Sequence, residues 1–177
     1  FSHGRADNFK TLDTLNRQGY TGPIRIIIDN EDKTAARYYE RFGDLVLMFD
    51  KAAAQTLFDV GDNFQDRRAV VFARNAAFGI AKELGYTYFL QLEDDYNHFL
   101  HRLDSNGVAT NKTRYVQNLD TVFSSMLDYY KSIPAKCIAL AQGGDFIGGR
   151  ANGIYEAIGS RRKVMNTLFC SAERPFN

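Results

Sequence analysis

Apolar residues along this chain follow two rhythms: short β-branched or aromatic runs, and longer stretches at helical spacing. Asp7 is placed to cap a helix in which Phe9, Leu12 and Leu15 share a side, with Gly19 just past its end. Beyond Gly22-Pro23, Ile24-Arg25-Ile26-Ile27-Ile28 predicts a strand ending in Asp29. A helix is expected over about 33–42, stopped by Gly43, and Leu45 to Phe49 predicts a strand ending in Asp50. Residues 51–66 have mixed character and read as a loop with one helical turn. A long helix is predicted over about 67–84, with Val70, Val71, Ala77, Ile80, Ala81 and Leu84 on its inner face and Gly85 as its stop. Tyr88 to Leu92 has the pattern of a buried strand, and 97–113, with Asn106-Gly107, that of an exposed loop. A further helix is expected over about 115–131, presenting Leu119, Val122, Phe123, Met126 and Leu127. Pro134 precedes a strand at 137–141, which runs into a glycine-rich loop at 143–149.

Strands alternating with helices predict an α/β domain built on a mostly parallel sheet with helices on both faces. Ligands of such sheets gather outside the carboxyl ends of the strands. The sequence puts Gly4, Arg5, Asp29, Asp50, Glu93-Asp94-Asp95 and the glycine loop around Asp145 at those ends. The acidic triplet is the most informative of these. Three adjacent carboxylates at the end of an apolar strand repel one another and cost solvation if dried. A hard divalent cation, which takes carboxylate oxygen, explains them better than an acidic turn does.

Composition narrows the partners. Lysine and arginine total 22 against 21 acids, a net charge of +1, so no global pull on nucleic acid is implied. A content of 45% hydrophobic and 14% aromatic residues is ample for a core and argues against disorder. The two cysteines, Cys137 and Cys170, make neither a disulfide framework nor a zinc site, which favours a reducing, cytoplasmic setting. No run approaches the roughly 20 apolar residues that span a bilayer, so no membrane partner is expected. Phe1 at one end and Pro175-Phe176-Asn177 at the other read as the ends of a fragment, with strands missing.

Several smaller constellations bear on chemistry. Ser2-His3-Gly4-Arg5 joins a strand to a helix, where glycine, backbone N–H groups and arginine suit a phosphate or a planar base. No Gly-x-Gly-x-x-Gly follows, and an ordinary tight turn is the competing reading. Arg74-Asn75 lies on the helix leading into the acidic strand, where Arg74 can neutralise a diphosphate or pair with an acid such as Asp66. Asp145 can act as a general base toward an acceptor hydroxyl, or bond its own turn. His98 and His101 follow the triplet closely enough to join a metal site, with surface histidines as the default, and Arg161-Arg162-Lys163 reads as a solvated face.

Together these motifs resemble a known family. Leu92-Glu93-Asp94-Asp95-Tyr96 resembles the Asp-x-Asp-type motif of glycosyltransferases with the GT-A (nucleotide-diphospho-sugar transferase) fold. In order along the chain, His3-Gly4-Arg5 with Gly19-Tyr20-Thr21-Gly22, Ala73-Arg74-Asn75, Leu90 to Tyr96 and Gln142 to Gly149 resemble the DNA-modifying glycosyltransferases associated with thymine and methylcytosine dioxygenases. Those include the base J glucosyltransferase and bacteriophage relatives. Arg162-Lys163-Val164-Met165-Asn166 and Arg174-Pro175-Phe176-Asn177 fit the same pattern.

The resemblance implies a single GT-A domain over 1–177, with 1–96 binding the nucleotide sugar and 97–177 on the acceptor side. It implies a UDP-hexose donor, with Ser2, Gly4, Arg5 and Asp29 lining the nucleoside pocket, Arg74 and Asn75 beside the diphosphate, and Glu93 and Asp94 contacting ribose or sugar hydroxyls. Asp95, with Glu93, would ligate Mg²⁺ or Mn²⁺. A hydroxymethylated pyrimidine in DNA is the implied acceptor, and Asp145 the candidate base. Two other readings stand beside it. A sugar-nucleotide nucleotidyltransferase would need a longer, lysine-bearing glycine loop than Ser2 to Asp7 provides. A non-catalytic GT-A-like domain would bind metal without turning over a nucleotide sugar.

Overall fold

The computed structural model describes residues 1–56, 70–103, 109–141 and 166–176. Strands β1 (Ile26–Asp29) and β2 (Val46–Phe49) pair in parallel, in register from Ile26↔Val46 to Asp29↔Phe49. The helix joining them, α2 (Ala35–Phe42), buries Tyr38 against Ile26, Ile28 and Val46. Gly43, with φ 52°, ends it as expected of a residue without a Cβ.

Helix α1 (Thr11–Arg17) departs from expectation at its start. Asp7 does not cap it but sits in a single 3-10 turn, Ala6–Asn8, and accepts from Arg37 at 2.9 Å. The first turn of α1 instead finds a partner far away in sequence: the Lys10 and Thr11 N–H groups donate to the Asp94 carbonyl at 2.9 and 3.2 Å. Helix-start donors that have no partner within the helix are thereby spent on the acidic loop. The end of α1 is equally constrained. Gly19 has φ 79°, and a Cβ there would lie 2.6 Å from the Gln117 carbonyl oxygen, so only glycine permits this approach.

The next elements are α3 (Lys51–Gln55), capped by the Asp50 carboxylate accepting from Ala53 N–H at 2.9 Å, and α4 (Val71–Glu83). The start of the long predicted helix, 67–69, lies outside the described residues. Strand β3 (Tyr88–Gln91) follows the turn at Gly85.

Residues 97–113, expected as a loop, contain an antiparallel pair, β4 (Leu100–Leu103) and β5 (Ala109–Tyr115). The sequence hides them because Ala-Thr-Asn-Lys-Thr-Arg-Tyr carries no apolar alternation. Gln18 ties their base to α1: its Nε2 donates to the Phe99 and Val116 carbonyls at 2.8 and 2.7 Å, and its Oε1 accepts from Phe99 N–H at 2.6 Å. Helix α5 (Leu119–Ser132) consequently starts later than expected, at an Asn118 cap that accepts from Thr121 N–H at 3.0 Å.

Strands β6 (Cys137–Ala139) and β7 (Leu168–Ser171) complete a three-stranded sheet in the order β3-β7-β6, with β7 antiparallel to both neighbours. One face packs Phe89, Leu168, Cys170, Cys137 and Ala139 with Phe78 of α4. The other packs Tyr88, Leu90, Phe169 and Ile138 against Leu15, Leu119 and Phe123 of α1 and α5. Helices therefore cover both faces, as expected.

The mostly parallel sheet is not what is seen. Among the described residues the sheets are small, and only β1–β2 is a parallel pair. The physical reason is β7, a strand arriving from far along the chain that takes the position between β3 and β6. Cys137 and Cys170 are unbridged and stand opposite each other across β6–β7. Burial pushes both thiols up, Cys170 to about 12. No described helix is long and apolar enough to cross a membrane.

Candidate functional site

Strands β1 and β3 end on the same side, and the turn at Ser2–Arg5 lies between those ends. Their polar residues line a cleft of about 480 Å³, among them Ser2, His3, Arg5, Asp29, Lys51, Glu93, Asp94 and Asp95. Most of these side chains are already engaged with one another. Asp94 is buried and accepts from Ser2 Oγ at 2.5 Å and from Arg5 Nη1 at 3.1 Å. The Ser2 hydroxyl also meets the phenol of Tyr38 at 2.5 Å, and that phenol oxygen accepts from Arg5 N–H at 2.9 Å. Burial pushes the Tyr38 phenol up, so it stays a neutral hydroxyl in this network.

A second group fixes the other side of the same turn. Gly4 N–H donates to Asp32 Oδ2 at 2.8 Å, and Thr34 donates to Asp32 Oδ1 through both its N–H and its hydroxyl at 2.7 Å. Burial pushes the Asp32 carboxyl up. The bonds from Thr34 and Gly4, together with nearby His3, more than offset this and hold it below the ordinary carboxylate value. Asp29 accepts from or pairs with His3 Nδ1 at 2.7 Å and faces Lys51 Nζ at 3.4 Å. Both Asp29 and Lys51 are buried, at 5% and 6% exposure, so they reach water and any ligand only through the cleft.

The three carboxylates of the triplet therefore have three different fates. Glu93 is paired with Arg74 Nη2 at 2.7 Å, and Asp94 is the buried anchor of the Ser2–Arg5 turn. Asp95 points outward, its side chain 60% exposed, with Arg5 Nη1 at 3.7 Å. The loop carrying them is stapled to α1: Thr11 Oγ1 donates to the Glu93 carbonyl at 2.6 Å and accepts from Tyr96 N–H at 3.0 Å. Tyr96 stacks on Phe99 and bonds Thr167 Oγ1 at 2.7 Å; burial pushes its phenol up to about 12. Thr167 holds φ 54°, a left-handed conformation that a β-branched residue adopts only under tertiary constraint.

The structure thus brings together Ser2, Gly4, Arg5, Asp29, Glu93, Asp94 and Asp95. Arg74 reaches the site through Glu93. Asn75 does not line the cleft; its side chain donates to the Val71 carbonyl one turn back, at 3.0 Å. Asp145, with the rest of the glycine loop, and Arg161-Arg162-Lys163 lie outside the described residues. His98 packs its ring against Tyr115 and His101 stands opposite Arg114 on the hairpin.

Among the described residues no group of three His, Cys, Asp or Glu side chains is arranged to hold a metal ion. Within the triplet, Asp95 is the carboxylate whose side chain is mostly exposed. That fits the mode in which a small divalent cation takes one or two carboxylates and completes its shell with substrate phosphates and water. Sequence reasoning missed Tyr38, Asp32 and Lys51. Nothing in their local pattern marks them, since each acts through a contact made by the folded chain.

A polar cleft at the carboxyl ends of strands is the setting in which α/β proteins hold ligands, and comparison with known families supplies the class: the protein is a glycosyltransferase. The chain belongs to the TET-associated glycosyltransferase family, whose family model matches residues 1–177. No curated protein and no solved structure matches it.

Proposed function

We propose that this glycosyltransferase moves a hexose from a UDP-sugar to a hydroxyl acceptor, with a hydroxymethylated pyrimidine in DNA as the acceptor class. The observation that carries the donor half is the division of labour in the triplet. Arg74 and the Ser2–Arg5 turn compensate Glu93 and Asp94, while Asp95 projects from a cleft large enough for a nucleotide. In this reading Asp95, with Glu93 close by, would hold Mn²⁺ or Mg²⁺, which when bound would supply positive charge against the diphosphate of the donor. Arg5 adds a guanidinium at the same place. The buried Asp29–Lys51 pair offers one acceptor and one donor to the edge of a base, and Ser2 and Gly4 shape the wall beside it.

The acceptor half rests on the family resemblance. An acceptor base within a duplex has to leave the stack to reach the cleft. Asp145 is the proposed base for an inverting transfer. UDP release from UDP-glucose in the presence of Mn²⁺, measured with a duplex containing 5-hydroxymethylcytosine and with the same duplex lacking the hydroxymethyl group, tests this reading. Release is expected only with the hydroxymethylated duplex, and Asp95→Ala is expected to lower it on the order of 100-fold. Equal release with both duplexes would remove DNA hydroxymethyl groups from the account.

A further inference from the structure

The chain's two cysteines, Cys137 and Cys170, take no part in the proposed reaction, yet the fold brings them face to face. They lie far apart in sequence, one on β6 and one on β7. Their place in the ladder gives the meeting its chemistry.

Ala172 N–H donates to the Thr87 carbonyl at 2.9 Å, in step with the pairs Tyr88↔Ser171 and Phe89↔Cys170. Hydrogen-bonded and non-hydrogen-bonded pairs alternate along an antiparallel ladder, so Phe89↔Cys170 is a bonded pair. The N–H and C=O of Cys170 therefore point to β3. Toward β6, Cys170 stands opposite Cys137 as a non-hydrogen-bonded pair, the closer kind, with Cα atoms typically about 4.5 Å apart. Tyr130 marks the same alternation from the other end. Its hydroxyl donates to the Lys136 carbonyl and accepts from Ser171 N–H, so the backbone groups of 136 and 171 are the ones that face across the strands.

Side chains directly opposite in such a pair share one face of the sheet. Both thiols lie on the face covered by Phe78 of α4, among Phe89, Ala139, Leu168 and Phe176. A disulfide needs Cα atoms about 4.4–6.8 Å apart and Cβ atoms that do not point away from each other, and this position supplies both. The Cys170 thiol spends its hydrogen on a long contact to the Leu168 carbonyl, at 3.8 Å, a weak bond to give up. The two sulfurs are unequally accessible: Cys170 is 1% exposed, whereas Cys137 is half-buried.

We propose that Cys137 and Cys170 form a redox site, a reversible cross-strand disulfide that fastens β6 to β7 when a small disulfide such as glutathione disulfide is abundant. The Cys137 thiolate, the one within reach, attacks a sulfur of the oxidant and releases one glutathione thiolate. The Cys170 thiolate then attacks Cys137 Sγ and releases the second. Two cysteine thiols are oxidised, one glutathione disulfide is reduced, and the two protons leave on the two glutathiones. The bond closes a loop over 138–169, a stretch of sequence that includes Asp145. On its other edge β7 is held by β3, which leads into the acidic triplet. Burial pushes both thiols up, so exchange is slow, and the equilibrium rather than the rate is the quantity to read.

The test equilibrates the 177-residue chain in glutathione redox buffers, folded and in concentrated urea, and maps the cysteine peptides by mass. A single link between Cys137 and Cys170 within one chain is expected, lost again in dithiothreitol. The equilibrium constant for forming it should be at least about 10-fold larger in the folded chain than in urea, because a fold that presents the two thiols is stabilised by the bond in turn. By the same linkage the oxidised chain should melt at least about 3 °C higher. Cys137→Ala, changed at the half-buried partner, should form no internal link and show no response of Tm to the buffer. An equilibrium constant no larger in the folded chain, glutathione retained on Cys137, or a link between two chains would overturn the proposal.

Discussion

Replacing Asp94 by alanine is expected to destabilise the protein by about 2 kcal/mol and to weaken donor binding at least about 10-fold. The carboxylate is buried and holds the Ser2 hydroxyl and the Arg5 guanidinium from opposite oxygens. Removing it leaves Arg5 without its closest acid and Ser2 with Tyr38 alone. Arg5 is itself half exposed, so water recovers part of the lost attraction, and the hydrogen bonds rather than the charge set the magnitude. At roughly 2–4 °C per kcal/mol for a chain of this size, Tm should fall by about 4–8 °C. Asp94→Asn keeps an acceptor for Ser2 and should recover part of the stability while binding the donor poorly. Calorimetric unfolding and nucleotide titration of both variants separate the two effects. A donor affinity unchanged in Asp94→Ala would mean that the Ser2–Arg5 turn does not shape the donor site.

The largest loss of stability is expected far from the cleft, in Gln18→Leu. Leucine matches the volume but satisfies none of the three bonds by which Gln18 joins α1 to Phe99 and Val116. The Phe99 carbonyl keeps Val116 N–H as a partner at 3.0 Å, whereas the Phe99 N–H and the Val116 carbonyl lose theirs in a buried setting. Stranding two buried backbone groups costs about 1–3 kcal/mol each, so a loss of about 4 kcal/mol and a Tm lower by about 10 °C are expected. Exchange of the Phe99 amide should rise with it. A Tm within about 2 °C of the parent would show that the base of the β4–β5 hairpin is held by other means.

These two residues also show what the sequence can and cannot reveal. The strand before the triplet, the glycine stops at Gly43 and Gly85 and the placing of charged residues at strand ends were all legible. Each follows from local periodicity or from the conformational freedom of one residue. Gln18 was not legible, because its partners lie 81 and 98 residues away and its own neighbourhood reads only as the end of a helix. The same holds for Tyr38 and Lys51, ordinary surface types by pattern that the fold buries beside the cleft. The hairpin at 100–115 escaped because its second strand is polar. Among the described residues the strand pairs are less parallel than expected, because periodicity identifies strands without giving their direction. The triplet was recognised as a unit, yet its members are not equivalent. One is an anchor, one an arginine partner, and one faces the ligand side.

The unequal roles within the triplet are what the account depends on, and calorimetric titration of UDP-glucose with and without Mn²⁺ tests them most directly. The parent chain should bind the donor more tightly with the ion than without it. Asp95→Ala should keep the Tm of the parent, because its side chain is exposed, and should lose the ion-dependent part of the affinity. Binding that ignores Mn²⁺, or that Asp95→Ala leaves intact, would contradict the assignment of Asp95 to the metal and the diphosphate.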